Sequence, residues 1–405
     1  MNSLLALLSL VSAAHASSVS VTFCANYGVN YTDASASVGD DYFPSNTDKL
    51  ARGARVKVIR NSDGVEVFNN YATSGANDNC TAGMTLDTAL TYTVKIVADA
   101  NVDGTNYVVV RNSATGNVWA GTVLSAYSPP GGGETKQITT ALHEAWNVAA
   151  AAGWANHYRS GGMTGKTYEF RTGTSVGNSF QENGGSPFIY IQNDTYKYIV
   201  VHEMGHEVAF YANGSALGAT TSNYSAAMDG CDTGTGAAHL FNTKEYQAAA
   251  MNEGLANWYA EITFNDTSST ECYYYRSSID WDLDGSYVDD SVYIGCEQGP
   301  YGPPGSSSPI DYAKYLGDYC LATGQSNNRA TQYDWMRFLW DLSTDQGLSS
   351  IEILNIWDGA NAQSWTTSGN GTGAGYPATE LRNSANALGL LTEWDNEDNL
   401  NGVHR

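Results

Sequence analysis

The sequence is poor in positive charge. It contains 19 Lys and Arg against 42 Asp and Glu, which gives a formal charge of −23 over 405 residues. Nucleic acids and anionic membranes attract basic surfaces, so this balance argues against both as partners. The acidic residues form no long block of one sign. Such a surface favours solubility and is compatible with calcium sites, but it does not identify a substrate.

Long hydrophobic runs are missing beyond the N-terminus. A membrane-spanning helix needs about 18 or more consecutive apolar residues, and no stretch after residue 16 offers them. The short apolar run at 4–11 ends near the small residues Ala14 and Ala16, which predicts an export signal cleaved before Ser17. Unusually, no Lys or Arg precedes this run. We therefore expect a secreted, extracellular protein with a signal peptide at 1–16 and no membrane partner.

Cysteine is scarce, and the Cys-x-x-Cys pairs of many metal and redox sites are absent. Six cysteines follow the predicted signal: Cys24, Cys80, Cys231, Cys272, Cys296 and Cys320. An even number in an exported chain predicts disulfides, three at most here, with fifteen possible pairings. Their distribution predicts a Cys24–Cys80 bond in one domain and two bonds among the other four in a second domain.

A break in composition at 128–134, which reads Ser-Pro-Pro-Gly-Gly-Gly-Glu, predicts an interdomain linker. Upstream, at 17–127, β-forming residues cluster in short runs separated by turn signals such as Asn61-Ser62-Asp63-Gly64. This pattern predicts an all-β, Ig-like antiparallel sandwich that serves as an accessory domain. No catalytic constellation is visible there.

Downstream, at 135–405, helical patterns dominate and predict a largely helical α+β domain. Residues 138–158 are rich in Ala and Trp and predict a long helix, and 186–191 predicts a strand. A second helix is expected at about 196–212, with a cap at 193–195 and an end at Asn213-Gly214. Aromatic and aliphatic residues at 333–342 are spaced as in a core-forming helix.

The second helix carries His202-Glu203-Met204-Gly205-His206. Residues four apart stand one above the other on a helix, so both imidazoles can reach one cation. Glu203 lies one step round the helix, where a carboxylate can take a proton from a zinc-activated water. The spacing therefore predicts a catalytic zinc site, with His202 and His206 as metal ligands and Glu203 as the general base.

A third ligand must come from further along the chain. Ala209 and Ala212 stand where a metzincin requires Gly and His, which excludes that class. Glu253 lies 47 residues after His206. It is part of a later apolar helix, which is expected to begin at 242–245 with a capping box. A carboxylate among small apolar residues needs a strong partner, and a metal is one. Glu261, two turns later, is the alternative ligand.

With Glu253 in place, residues 196–264 resemble the gluzincin metallopeptidases, the thermolysin-like and aminopeptidase-like group. The shared features are His-Glu-x-x-His and a downstream Asn-Glu-Gly-x-Ala, here residues 252–256. The resemblance implies a zincin-like fold in which His202, His206 and Glu253 hold zinc. It also implies that the strand at 188–191, just before the helix that carries the motif, aligns an extended peptide by edge pairing; the alternative is an ordinary place in a core sheet. Two positions depart from the pattern: Asn257 replaces a supporting acid, and charged Glu207 follows the second histidine.

The donor that would stabilise the oxyanion is left open. By resemblance it would be a His or Tyr outside the ligand pairs, and the candidates are His239, Tyr246 and His404. Calcium is a possible second cofactor near Asp280, Asp282 and Asp284, whose alternate spacing before Gly285 resembles part of a calcium loop. A shorter pattern at 99–104 fits either calcium or a hairpin turn.

The sequence as a whole predicts a zinc-dependent metallopeptidase that acts on proteins or peptides, without fixing an oligomeric state. A rival from another class is a secreted binding or adhesion protein with a closed structural zinc site. Glu203 separates the two, since a structural site has no use for a carboxylate beside its ligands. A third hypothesis, hydrolysis of a non-peptide amide or ester, uses the same chemistry.

Overall fold

The computed structural model of the chain describes residues 17–32, 49–101, 104–158, 164–173, 179–181, 188–214, 245–265, 273–276, 292–295, 329–360, 377–401 and 403. The predicted signal at 1–16 lies outside these ranges. So do the other four cysteines, the acidic loop at 280–284, His239 and His404.

The twelve described strands up to residue 190 form two sheets. The first is built around the long strand β1 and contains β1 (Ser18–Tyr27), β2 (Lys49–Leu50), β5 (Met84–Asp87) and β9 (Glu134–Thr139). The second contains β3 (Ala54–Arg60), β4 (Glu66–Tyr71), β6 (Tyr92–Asn101), β7 (Tyr107–Asn112), β8 (Ala120–Tyr127), β10 (Thr167–Thr172), β11 (Phe180–Gln181) and β12 (Ile189–Tyr190). Buried and partly exposed residues alternate along β3, as expected for a strand with one face on the core.

The strand pairing of the two sheets is mixed, but every described pair of strands within 17–127 is antiparallel, as predicted for that range. The parallel pairs all involve strands that follow residue 127. β9 runs parallel to β1, and β10 runs parallel to both β7 and β12. Parallel neighbours need long crossover connections, and the chain between β7 and β10 includes a helix. The fold class among the described residues is therefore α+β with mixed sheets.

The segment at 128–134 connects β8 to β9, and strands from both sides of it share sheets. β9 pairs with β1, and β10 pairs with β7. The division into domains at this segment stays a prediction. The disulfide between Cys24 and Cys80 is present as predicted, with a sequence separation of 56 residues.

The described ranges contain seven helices. They are α1 (Glu144–Tyr158), α2 (Lys197–Ala212), α3 (Gln247–Phe264), α4 (Gln332–Thr344), α5 (Ser350–Gly359), α6 (Pro377–Ala387) and α7 (Leu391–Asn401). α1 contacts both sheets as well as α2 and α3, which joins the strands and helices in one core. No helix within the described residues combines the length and apolar character needed to cross a membrane.

Helix ends were predicted with unequal success. α2 ends where the sequence indicates, with Asn213 as its C-cap and Gly214 at a φ of 68°. At its start the expected side-chain cap is wrong, because the N-cap residue is Tyr196 and no side chain caps it. α1 begins only at Glu144, since the first part of the predicted helix is strand β9.

α3 also begins later than predicted. Residues 245–246 form strand β13 (Glu245–Tyr246), which pairs with β16 (Arg329–Ala330), and the helix starts at Gln247. Tertiary pairing with a distant strand has overridden the local capping pattern. A further hairpin joins β14 (Tyr273–Arg276) and β15 (Val292–Gly295).

Two glycines allow the central helices to approach closely. A Cβ at Gly205 of α2 would lie 2.7 Å from the Cα of Ala256 in α3. A Cβ at Gly254 of α3 would lie 2.3 Å from the Cβ of Trp335 in α4. Real side chains cannot occupy such spaces without movement of a helix. The small residues therefore fix the spacing of α2, α3 and α4, and with it the distance between the candidate site residues.

Candidate metal centre

The facing surfaces of α2 and α3 carry the predicted site. His202 and His206 are one turn apart on α2, with ring centroids 4.8 Å apart and ring planes at 84°. Glu253 of α3 lies opposite both. One of its carboxylate oxygens is 3.1 Å from Nε2 of His202, and the other is 3.2 Å from Nε2 of His206. The carboxylate thus bridges the two imidazoles.

These groups are largely removed from solvent. The exposed side-chain fractions are 5% for His202, 10% for His206 and 8% for Glu253. A buried carboxylate needs a cation or strong hydrogen-bond donors to offset the loss of water. The two imidazoles supply donors as Nε2–H groups, or all three side chains can converge on a metal ion.

Glu203 completes the cluster on α2. One ligand atom each from His202, Glu203 and His206 lies within 4.8 Å of the others, and Glu203 is buried. This group could hold a metal ion. Two carboxylates thus stand near the imidazoles, and only Glu253 contacts both Nε2 atoms at hydrogen-bond distance. Glu203 is the second carboxylate, and it lies beside the two imidazoles on α2.

Asn252 is a residue of the site that the sequence analysis did not single out. Its side-chain nitrogen lies 3.2 Å from Nδ1 of His206. When Nε2 of a histidine binds a metal, Nδ1 carries the proton and needs an acceptor, which the amide provides through its oxygen after a flip. The signal was available in principle, because Asn252 directly precedes Glu253. Successive helical residues point about 100° apart, so one of them can face the Nε2 side and the other the Nδ1 side.

Asn257 stands at the position of the supporting acid, where its side-chain oxygen could accept an N–H from a zinc histidine. The structure places its amide 3.2 Å from the side-chain oxygen of Gln332, to which it donates a hydrogen bond. Gln332 begins α4, so this contact ties α3 to the next helix. The expected contact of Asn257 with a histidine stays a prediction.

Glu261, the alternative ligand, lies in different surroundings. It is fully buried, and its pKa is raised well above the ordinary value by burial and by the charge of Asp341, while Arg337 lowers it. Both neighbours belong to α4. The contacts with the two histidines are made by Glu253, so the structure favours Glu253 as the third donor.

Glu207, the charged residue that departs from the family pattern, is also buried. Burial raises the pKa of its carboxyl to about 8, with a further contribution from the charge of Glu169 on β10. Glu207 therefore lies near the β10 side of α2.

Other predicted residues lie wholly or partly outside the description. Tyr246 is placed as part of β13, but its side chain is outside the described part, as are His239, His404 and the acidic loop at 280–284. In the 99–104 segment, Asp99 forms an ion pair with Arg55, and Asn101 accepts a hydrogen bond of 2.8 Å from the amide of Gly104. The Asn101 contact is that of a turn.

The edge-strand expectation needs correction. Among the described residues, β12 is paired on both sides, with β10 on one and β11 on the other. Where these pairs form, its main-chain groups already make hydrogen bonds to the neighbouring strands. β11 occupies the position where an extended peptide was expected.

Comparison of the chain with protein-family models and with curated proteins finds no match. The case for a function therefore depends on the site itself.

Proposed function

We propose that this chain is a secreted zinc-dependent metallopeptidase, in which His202, His206 and Glu253 hold the metal and Glu203 is the general base. The observation that carries this proposal is the meeting of Glu253 with both Nε2 atoms, at 3.1 and 3.2 Å. Two imidazoles and one carboxylate from a second helix are a donor set of catalytic zinc sites, which keep a further position open.

The distances from the two Glu253 oxygens to the imidazole nitrogens are compatible with zinc. Ligand atoms about 2.0–2.1 Å from a tetrahedral ion are roughly 3.3–3.4 Å from one another. The observed separations are 3.1 and 3.2 Å, so small side-chain adjustments would suffice. Soft thiolates are absent from this donor set, and three nitrogen and oxygen donors suit zinc better than calcium or magnesium.

When bound, the metal would supply a Lewis acid that polarises the scissile carbonyl and makes water more acidic. Glu203 then has a defined task. Its carboxylate takes one proton from the attacking water while the oxygen bonds to the carbonyl carbon, and it returns that proton to the leaving amine nitrogen as the C–N bond breaks. His202 and His206 position the reaction beside this carboxylate, and Asn252 orients the ring of His206.

The rival function is a binding or adhesion protein with a structural metal site. The location of Glu203 in the cluster favours the enzyme, because a closed site gains nothing from an additional buried carboxylate, whose desolvation costs stability.

The test uses the full secreted chain and two glutamine variants. Wild type, Glu203→Gln and the control Glu261→Gln are assayed for bound zinc and for cleavage of casein and mixed peptides. We expect equal zinc in all three, and a loss of activity of about 100-fold or more in Glu203→Gln only.

Equal cleavage by wild type and Glu203→Gln would refute the role of Glu203. No cleavage by a zinc-loaded wild type would favour the structural site. Turnover of esters or non-peptide amides in place of peptides would assign the third class of substrate.

A further inference from the structure

The start of α2, the helix that carries both histidines, is held by distant parts of the chain. Its N-cap residue is Tyr196, which no side chain caps, so no local side chain defines where the helix begins. The residues just before it are bound by three other segments. The first contact comes from β10, where the main-chain oxygen of Arg171 accepts a hydrogen bond of 2.9 Å from the N–H of Ile191.

Asn147 of α1 makes the second contact. It is 1% exposed, and its amide nitrogen donates to a carboxylate oxygen of Asp194 at 2.6 Å. Its amide oxygen accepts from the main-chain N–H of Asn30 at 3.0 Å, and its nitrogen lies 3.2 Å from the side-chain oxygen of Asn30. Hydrogen bonds to charged acceptors are stronger than those between neutral groups. One buried amide therefore links the residues after β1 to the loop before α2.

The chain after β1 makes the third contact. The main-chain N–H of Thr32 donates to the main-chain oxygen of Thr195 at 2.7 Å. Beside it, the hydroxyl of Tyr31 donates to the main-chain oxygen of Asn147, and Tyr31 is 2% exposed. Tyr31 and Asn147 are separated by 116 positions along the chain. The arrangement therefore forms only when the N-terminal strands and α1 pack together.

The strands before residue 127 are also built into the sheets of the later chain. β1 pairs with β9 over six residue pairs, and β7 pairs with β10 over another six. Separation at the 128–134 segment would leave these main-chain groups without their partners, which is costly wherever water does not replace them. It would also remove residues 30–32 from the start of α2.

We propose that residues 30–32 and Asn147 position α2 for metal binding, so that the strands before the 128–134 segment belong to the metal-binding unit and are not a removable accessory region. The hydrogen bonds of Asn147 go to residues other than the metal ligands, which makes it a positioning residue. The inference rests on the metal site of the proposed function, but not on peptide hydrolysis.

The start of α2 is close enough to the site for this control. The first helical residue, Lys197, precedes His202 by five positions, roughly 7.5 Å along the axis. A shift at the start of the helix moves both imidazoles relative to Glu253, whose oxygens lie 3.1 and 3.2 Å from the Nε2 atoms. Ligand geometry, and with it metal affinity, therefore depends on the contacts before the helix.

The first test cuts the chain and keeps both pieces. A site for a sequence-specific protease is inserted between Gly131 and Gly132, at both of which an added Cβ would meet no atom within 4 Å. The bond between Cys24 and Cys80 joins the only cysteines before this point, so no disulfide crosses the cut. We expect the pieces to elute together from a sizing column in native buffer, with the zinc affinity of the uncut chain.

The second test reverses the hydrogen bond between Asn147 and Asp194. Asn147→Asp sets two carboxylates against each other and should weaken zinc binding by about tenfold. Adding Asp194→Asn restores a carboxylate–amide pair with the roles exchanged, and should recover most of the affinity. Asp194→Asn alone keeps a neutral hydrogen bond and should weaken zinc binding less. Zinc affinity is measured by competition with a chelator, and Tm is measured on the same samples.

The matched control is Asn156→Asp. Asn156 is a fully buried asparagine on α1 whose amide has no hydrogen-bond partner within the described ranges. The same substitution there should lower Tm through a buried charge and leave zinc affinity unchanged. A merely structural role of Asn147 would give this result as well.

Several results would overturn the inference. One is separation of the cut pieces in native buffer with zinc still bound to the later piece, whereas separation with loss of zinc would support it. Another is unchanged zinc affinity in Asn147→Asp, or a lost affinity that Asp194→Asn does not recover. An uncut wild type that binds no zinc would refute the metal site itself, and this is measured before any variant.

Discussion

Helix α3 carries two buried glutamates, two turns apart, whose surroundings differ. Glu253 bridges the imidazoles of His202 and His206 on α2. Glu261 lies among Asp341 and Arg337 of α4, and its pKa is raised mainly by burial. The sequence around both residues is similar in polarity, so the neighbouring helix decides which glutamate becomes a metal donor. A carboxylate is a functional group only where another element supplies its partners.

The largest expected effect separates the two glutamates directly. Glu253→Gln should weaken metal binding by more than about 100-fold, because loss of even a supporting partner of a ligand costs about 10- to 100-fold. Glu261→Gln should leave metal affinity unchanged. Zinc affinity is measured by competition with a chelator of known strength. Comparable losses in both variants would contradict the distinction and reopen Glu261 as a ligand.

A smaller effect is expected from the asparagines of the same helix. Asn252 lies 3.2 Å from Nδ1 of His206, whereas the amide of Asn265 donates to the main-chain oxygen of Glu261. Asn252→Ala should therefore reduce metal affinity by about 10-fold or more, and Asn265→Ala should not. The same competition assay compares them. If Asn252→Ala binds metal as tightly as wild type, the amide does not orient His206.

The close approach of α2 to α3 can be tested through stability. Gly205→Ala places a Cβ against the Cα of Ala256, and we expect it to lower the free energy of unfolding by about 1–3 kcal/mol. In Gly153→Ala the added methyl meets no neighbour within 4 Å, so this control should gain up to about 1 kcal/mol from helix propensity. Urea unfolding measures both. A neutral Gly205→Ala would show that the helices can separate without cost.

The smallest effect concerns pH and Glu261. Its folded-state pKa is raised, so the folded protein holds the proton more tightly than the unfolded chain. The stability contribution is complete below the ordinary pKa of about 4.3–4.5 and is lost as the pH rises through the folded-state value. Tyr333, Arg337 and Asp341 are the ionisable groups that act with it.

Glu261→Gln removes this loss of stability with rising pH, because a glutamine side chain does not titrate. The Tm of the variant relative to wild type should therefore increase as the pH is raised from about 4.5 to 8. Thermal unfolding at several pH values, in one buffer series, measures this difference. A constant difference over the whole range would mean that Glu261 does not titrate differently in the folded and unfolded states.

Local patterns predicted the elements that depend on local causes. Alternating apolar residues gave β3, and the turn at 61–64 contains Gly64 at a φ of 71°. The end of α2 at Asn213-Gly214 follows from the ease with which glycine adopts a left-handed conformation. The predictions failed where a distant segment competed. Residues 138–139 were assigned to the start of a helix but belong to β9, which pairs with β1, and residues 245–246 pair with β16.

The candidate site shows the same division. His202, Glu203 and His206 are brought together by helical spacing, so the sequence alone determined their proximity. It also determined the negative charge of the chain and placed a Glu on a later apolar helix. The tertiary structure decided that Glu253 faces the imidazoles, that Asn252 reaches His206, and that Asn147 joins Asn30 to Asp194. Those contacts depend on how close α2 approaches α3 and on where α1 lies against the first sheet. They arise from packing between residues that are far apart in the chain, so no local sequence pattern encodes them.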